Sequence, residues 1–125
     1  MQQRVLIVED DMLNRLLFSA VLVERGFLVE QVADERLALS TAEKFRPDLI
    51  IMDIQLPNIS GVELIAALKA DPRFNAIPVL AVTGYVGKGE EREIRDAGAE
   101  DYLPKPVSIE PFVSAVKRLL PKKAA

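Results

Sequence analysis

Five polar residues stand where the chain could do chemistry. Glu9 and Asp10 follow the apolar run RVLIV, Asp53 closes LIIMD, Thr83 closes PVLAVT, and Lys105 sits within YLPKP. Three carboxylates gathered in one cleft repel one another, which raises their pKa values unless a cation neutralises them. A hard divalent ion with oxygen ligands answers that need, and Mg²⁺ keeps several waters in such sites, leaving positions for phosphate oxygens. A lysine adds a second positive charge and a threonine a hydroxyl donor. Carboxylate nucleophile, metal, lysine and hydroxyl together resemble a phosphoryl-transfer site, where catalysis is mostly positioning and charge neutralisation. A carboxylate is already ionised at neutral pH and needs no general base to attack phosphorus. The chain has no histidine. That excludes histidine ligands, histidine bases and phosphohistidine carriers, but it does not obstruct an aspartate nucleophile.

Taken singly, each residue has a plainer explanation. Asp53 precedes a loop with Pro57 and can be a turn residue. Glu9, Asp10 and Asp11 can cap a helix and compensate its dipole. Thr83 can be a β-branched strand end, and Lys105 a solvated surface lysine. Their joint placement is what separates the readings, because they fall at the ends of four different apolar runs.

Those runs are the elements that must position them. Arg4–Val8 is β-branched and apolar and reads as a first strand. The next helix carries Leu13, Leu16, Leu17, Ala20, Val21 and Val23 at helical spacing, with Gly26 suited to its C-terminal cap. Residues 27–32 alternate as a second strand. Asp34 can cap a second helix bearing Leu37, Ala38, Thr41, Ala42 and Phe45, which Pro47 ends. The continuous apolar run to Asp53 reads as a buried parallel strand. Ser60 with Glu63 is a capping-box pattern opening a third helix, with Val62, Ile65, Ala66 and Leu64 or Leu68 facing inward. Residues 78–82 form a fourth strand. The helix over 87–97 offers little beyond Ile94 and Ala97 to bury and is expected to be weakly held, with Gly98 as its cap. A short fifth strand at 101–103 precedes a last helix, capped by Ser108, with Phe112, Val113, Val116, Leu119 and Leu120 inward.

Five strands alternating with five helices mean a doubly wound parallel sheet covered on both faces. Right-handed crossovers leave few topologies. In the order 2-1-3-4-5, strands one and three are neighbours at a switch point, and Glu9, Asp10 and Asp53 converge.

The chain of 125 residues is read as one domain over 1–121, with 122–125 a frayed tail. Half its residues are hydrophobic, 28% are charged, and its net charge of −3 provides no bulk attraction to nucleic acid or an anionic membrane. Without cysteine there is no disulfide framework, and the reducing cytoplasm is the simplest home. No apolar run approaches the roughly 18 residues of a membrane span. The N-terminus reaches acidic residues too soon for a signal peptide.

Four segments carry a resemblance: VEDD at 8–11, MDIQLPNISG at 52–61, VTG at 82–84 and YLPKP at 102–106. In order and spacing they resemble the response-regulator receiver domains of two-component signalling, over nearly the whole chain. The VAVTGYVGKGEE and KPVS segments are similar to stand-alone receivers of the alphaproteobacterial cell-cycle type. The resemblance implies the flavodoxin-like (βα)5 fold and Asp53 as phospho-acceptor. It implies Mg²⁺ (or Mn²⁺ in its place) held by Asp10, Asp53 and the backbone carbonyl of Gln55, with Glu9 acting through water. Thr83 and Lys105 would contact the phosphoryl group, Tyr102 would be the aromatic switch residue, and the Lys105–Pro106 bond would be cis. Partners would be a sensor histidine kinase or phosphotransfer protein, and a downstream protein on the face of residues 84–120. Self-phosphorylation and slow autodephosphorylation would be the only catalysis. One departure is Gly84, where alanine is more usual; glycine loosens the backbone and opens the site.

Other functions fit less well. A flavodoxin-like module for FMN or a nucleotide lacks its glycine-rich phosphate loop, since EDDMLN follows strand one. For a Mg²⁺-dependent hydrolase nothing positions an attacking water, and a pseudo-receiver scaffold is at odds with the intact site.

Overall fold

The computed structural model describes residues 2–84 and 87–120; the expected tail at 122–125 lies outside them. Five parallel strands run β1 (Arg4–Val8), β2 (Leu28–Val32), β3 (Leu49–Asp53), β4 (Val79–Thr83) and β5 (Asp101–Pro104). Their order is β2-β1-β3-β4-β5, the flavodoxin-like order named above. Five helices alternate with them: α1 (Met12–Glu24), α2 (Ala38–Phe45), α3 (Gly61–Ala70), α4 (Lys88–Ala97) and α5 (Ile109–Leu119).

Alternation along the strands divides the core in two. Val5, Ile7, Leu49, Ile51, Leu80 and Val82 pack beneath α1 and α5, where the rings of Phe18 and Phe112 stack at 4.8 Å. Leu6, Val8, Ile50, Met52, Val79 and Ala81 pack beneath α2, α3 and α4. Every residue of β3 and β4 is buried, which explains why both read as continuous apolar runs.

Helix ends follow the chemistry of their residues. Asp11 caps α1 by accepting from the Asn14 N–H at 2.9 Å. Ser60 caps α3 through the Val62 N–H. Gly26 and Gly98 take left-handed backbone after α1 and α4, with φ of 88° and 114°. As expected, α4 buries one large side chain among its described residues, Ile94, and the Lys105–Pro106 bond is cis.

Three inward-face expectations change. In α1 the buried residues are Phe18, Ser19, Val21 and Leu22, while Leu13, Leu16, Leu17, Ala20 and Val23 are exposed. Stacking of Phe18 on Phe112 sets the rotation of this helix. Asp34 caps a single 3₁₀ turn, Glu35–Leu37, rather than α2 itself, and Leu37 is exposed. In α3 both Leu64 and Leu68 face inward and Ala66 faces out.

Candidate functional site

Four of the five residues, Glu9, Asp10, Asp53 and Lys105, meet at the C-terminal edge of the sheet, while the Thr83 hydroxyl at the end of β4 is bonded by the Gln55 side chain. Register pairs Val8 with Met52, so the residues after β1 face Asp53 across one inter-strand gap. Glu9 is 1% exposed and Asp53 2%; Asp10 is exposed. Carboxylate oxygens of the three lie within 4.8 Å of one another. The Lys105 Nζ stands 3.1 Å from Asp53 Oδ1 and 3.3 Å from Glu9 Oε1. Its own N–H donates to the Thr83 carbonyl at 2.8 Å, so the ladder between β4 and β5 carries the lysine to the cleft.

Electrostatically the cleft is over-supplied with negative charge. Burial first, then a hydrogen bond and charge repulsion with Asp53, push the Glu9 carboxyl up to about 8, against the pull of Lys105 and the Asp11 N–H. Burial alone would lower the Lys105 ammonium, but Asp53 and then Glu9 outweigh it and raise it. Two buried oxygens, Glu9 Oε1 and Asp53 Oδ2, have no hydrogen-bond partner among the described residues. Glu9 Oε1 has the Lys105 ammonium 3.3 Å away but no hydrogen bond. Buried carboxylate oxygens are costly unless a cation or proton satisfies them, and hard oxygen donors so placed fit a small divalent cation such as Mg²⁺.

The loop after β3 is held close by a glycine. A Cβ on Gly61 would lie 2.2 Å from the Asp53 carbonyl oxygen, so only glycine lets α3 start against the strand that ends in Asp53. Gly84 differs: a Cβ there would meet only Gln55 Oε1, at 3.5 Å, an ordinary contact. The chain thus leaves a methyl-sized space at the end of β4.

Thr83 is buried, one residue past the pairing of Val82 with Asp53. Tyr102 is half-buried against α4, the Arg95 guanidinium 5.2 Å from its ring centroid. Its phenol is raised by burial and by a hydrogen bond to Glu91.

Three side chains escaped sequence reasoning. Arg15 Nη1 donates to the carbonyls of Glu9 and Asp10 at 3.0 and 3.3 Å, bracing the acidic turn. Glu35 is buried beneath the β3–α3 loop and accepts from Asn58 and Ile59. The Gln55 side chain, beyond its backbone, bonds Thr83 and Gly84. Only Arg15 left a local signal, a cation five residues after an acid.

Residues 5–117 match the response regulator receiver domain, and the chain belongs to that family of two-component signalling proteins. It is 42% identical over 120 residues to the polar-differentiation response regulator DivK of Brucella anthropi, covering 96% of this chain and 98% of that protein. The chemotaxis protein CheY4 of Vibrio cholerae superposes with a TM-score of 0.91 at 32% identity, over 96% of this chain and all of that one. The receiver domain of a Pseudomonas aeruginosa sensor histidine kinase, solved with a magnesium ion coordinated in its active-site cleft, gives 0.86 at 31% identity, over 95% and 98% of the two chains.

Proposed function

We propose that this response regulator receiver domain takes a phosphoryl group on Asp53 from the phosphohistidine of a sensor kinase or phosphotransfer protein. The observation that carries this reading is the Asp53 carboxylate itself. It is buried at a strand end, with Oδ1 held by Lys105 and the Gln55 N–H while Oδ2 has no hydrogen bond among the described residues. In the transfer, a carboxylate oxygen attacks phosphorus, the P–N bond breaks, and the imidazole leaves. Asp10, Asp53 and the Gln55 carbonyl would hold Mg²⁺, or Mn²⁺ in its place, with Glu9 reaching it through water. A bound ion there neutralises charge on the phosphoryl oxygens. Lys105 and Thr83 provide the remaining contacts to the group. Slow autodephosphorylation reverses the modification, and no other catalysis is assigned.

Output is protein binding. Thr83 turns toward the phosphoryl group, and Tyr102 moves inward behind it. The face built from residues 84–120 is then reshaped for a downstream partner; residues 85 and 86 of that face lie outside the described residues. The donor has its own surface: Met12, Leu13, Leu16 and Leu17 expose an apolar strip of α1 beside the acidic turn. Similarity to DivK supports a cell-cycle role. Among the described residues no helix is long and apolar enough to cross a membrane, and the net charge of −3 does not favour nucleic acid; we place the protein in the cytoplasm.

Intact mass after incubation with acetyl phosphate and Mg²⁺ tests the assignment, which expects a gain of about 80 Da, one phosphoryl group. Thr83→Ala should still gain that mass yet fail to bind a partner that recognises the phosphorylated form. Unchanged partner binding in Thr83→Ala would place the switch elsewhere.

A further inference from the structure

We propose that the Gln55 side chain is a resting-state latch that holds Thr83 and Gly84 away from the phosphorylation site and must release before the switch can turn. The inference rests on the reading of Asp53 as phospho-acceptor. Gln55 lies two residues past Asp53, and its N–H donates to Asp53 Oδ1 at 3.1 Å, so the base of the latch is tied to the acceptor itself. Its carboxamide reaches across to β4 with both ends engaged. Nε2 donates to Thr83 Oγ1 at 3.0 Å, and Oε1 accepts from the Gly84 N–H at 2.8 Å.

An uncharged carboxamide suits this pair because it offers a donor to the hydroxyl oxygen and an acceptor to the amide. The two groups it engages, a hydroxyl and a backbone N–H at the end of β4, are the kind of donors that a dianionic group on Asp53 calls for. Gln55 Oε1 already occupies the Gly84 N–H. A phosphoryl oxygen can take that donor only after the carboxamide leaves, so resting and phosphorylated arrangements compete for it. Hydrogen bonds hold the latch, and their loss shifts the equilibrium toward the released form.

Gln55→Met keeps the chain length and the backbone carbonyl but removes both hydrogen bonds. Gln55→Asn keeps the polarity but is one methylene too short to span the gap. In the ligand-free variants, amide exchange at Gly84 should rise about three- to tenfold over wild type, the scale of one or two ordinary hydrogen bonds. Beryllofluoride in the presence of Mg²⁺ should bind more tightly by a similar factor. Wild-type exchange at Gly84 together with wild-type beryllofluoride affinity, in either folded variant, would overturn the latch. If beryllofluoride fails to bind even the wild-type protein, the reading of Asp53 falls, and the ligand-free exchange comparison still decides the latch.

Discussion

Glu9 and Glu35 are each 1% exposed, yet their surroundings differ in kind. Glu35 Oε2 accepts from the Asn58 and Ile59 N–H groups at 2.7 and 3.2 Å, and Oε1 from Asn58 Nδ2 at 3.0 Å. Burial alone would push its carboxyl up, but those donors prevail and hold it below the usual carboxylate range. Glu9 accepts one backbone N–H, from Asp11 at 3.2 Å, has the Lys105 ammonium 3.3 Å from an Oε1 that makes no hydrogen bond, and faces Asp53. Equally low exposure does not make the two carboxyls alike; the donors present decide whether the charge is settled. Glu35 is a completed anion that ties down the β3–α3 loop. Glu9 belongs to a cluster left incomplete, which is the condition for admitting a cation.

The largest expected effect falls on the incomplete cluster. Asp53→Asn should show no mass gain with acetyl phosphate and Mg²⁺ while remaining folded, whereas Glu35→Ala should still be labelled. A stable gain of about 80 Da in Asp53→Asn would break the assignment. Next is Asp10→Ala, which removes a ligand but relieves repulsion between acids. Titration should show Mg²⁺ affinity down more than about tenfold, with a metal-free melting temperature equal to or above wild type. A large fall in that temperature would make Asp10 structural, like Glu35.

Smaller effects concern stability. Glu35→Ala strands the Asn58 and Ile59 N–H groups and should cost about 2–4 kcal/mol in urea unfolding, whereas Glu9→Gln should cost nothing in the metal-free protein. The remaining effect is in pH dependence. A raised folded pKa means that the native state binds the Glu9 proton more tightly than the unfolded chain. Metal-free stability should therefore decline as pH rises from the ordinary value of 4.5 through about 8, and Glu9→Gln or added Mg²⁺ should flatten that decline. Glu35 has the opposite sign: its contribution is present above the ordinary carboxylate pKa and is lost on acidification through its lowered value. A metal-free profile without the alkaline decline would show that Glu9 is as well satisfied as Glu35.

Much of this molecule is local in origin, and that part was legible in the sequence. β1 and β3 run Arg4–Val8 and Leu49–Asp53 as expected, because strands buried on both faces leave unbroken apolar runs. Breakers and caps such as Gly26, Ser60 and Gly98 marked the helix ends. Alternation of strand and helix then put Glu9, Asp10, Asp53, Thr83 and Lys105 on one edge. Tertiary structure alone decided the rest. Along α1, apolar residues at 12, 13, 16 and 17 compete with those at 18, 21 and 22, so periodicity cannot choose a face, and packing of Phe18 on Phe112 makes the choice. Glu35 finds its donors 23 and 24 residues away, and Gln55 reaches partners 28 and 29 residues away. Hydrogen bonds of that reach leave no pattern along a chain, because they depend on which strands lie side by side and how far each loop folds back.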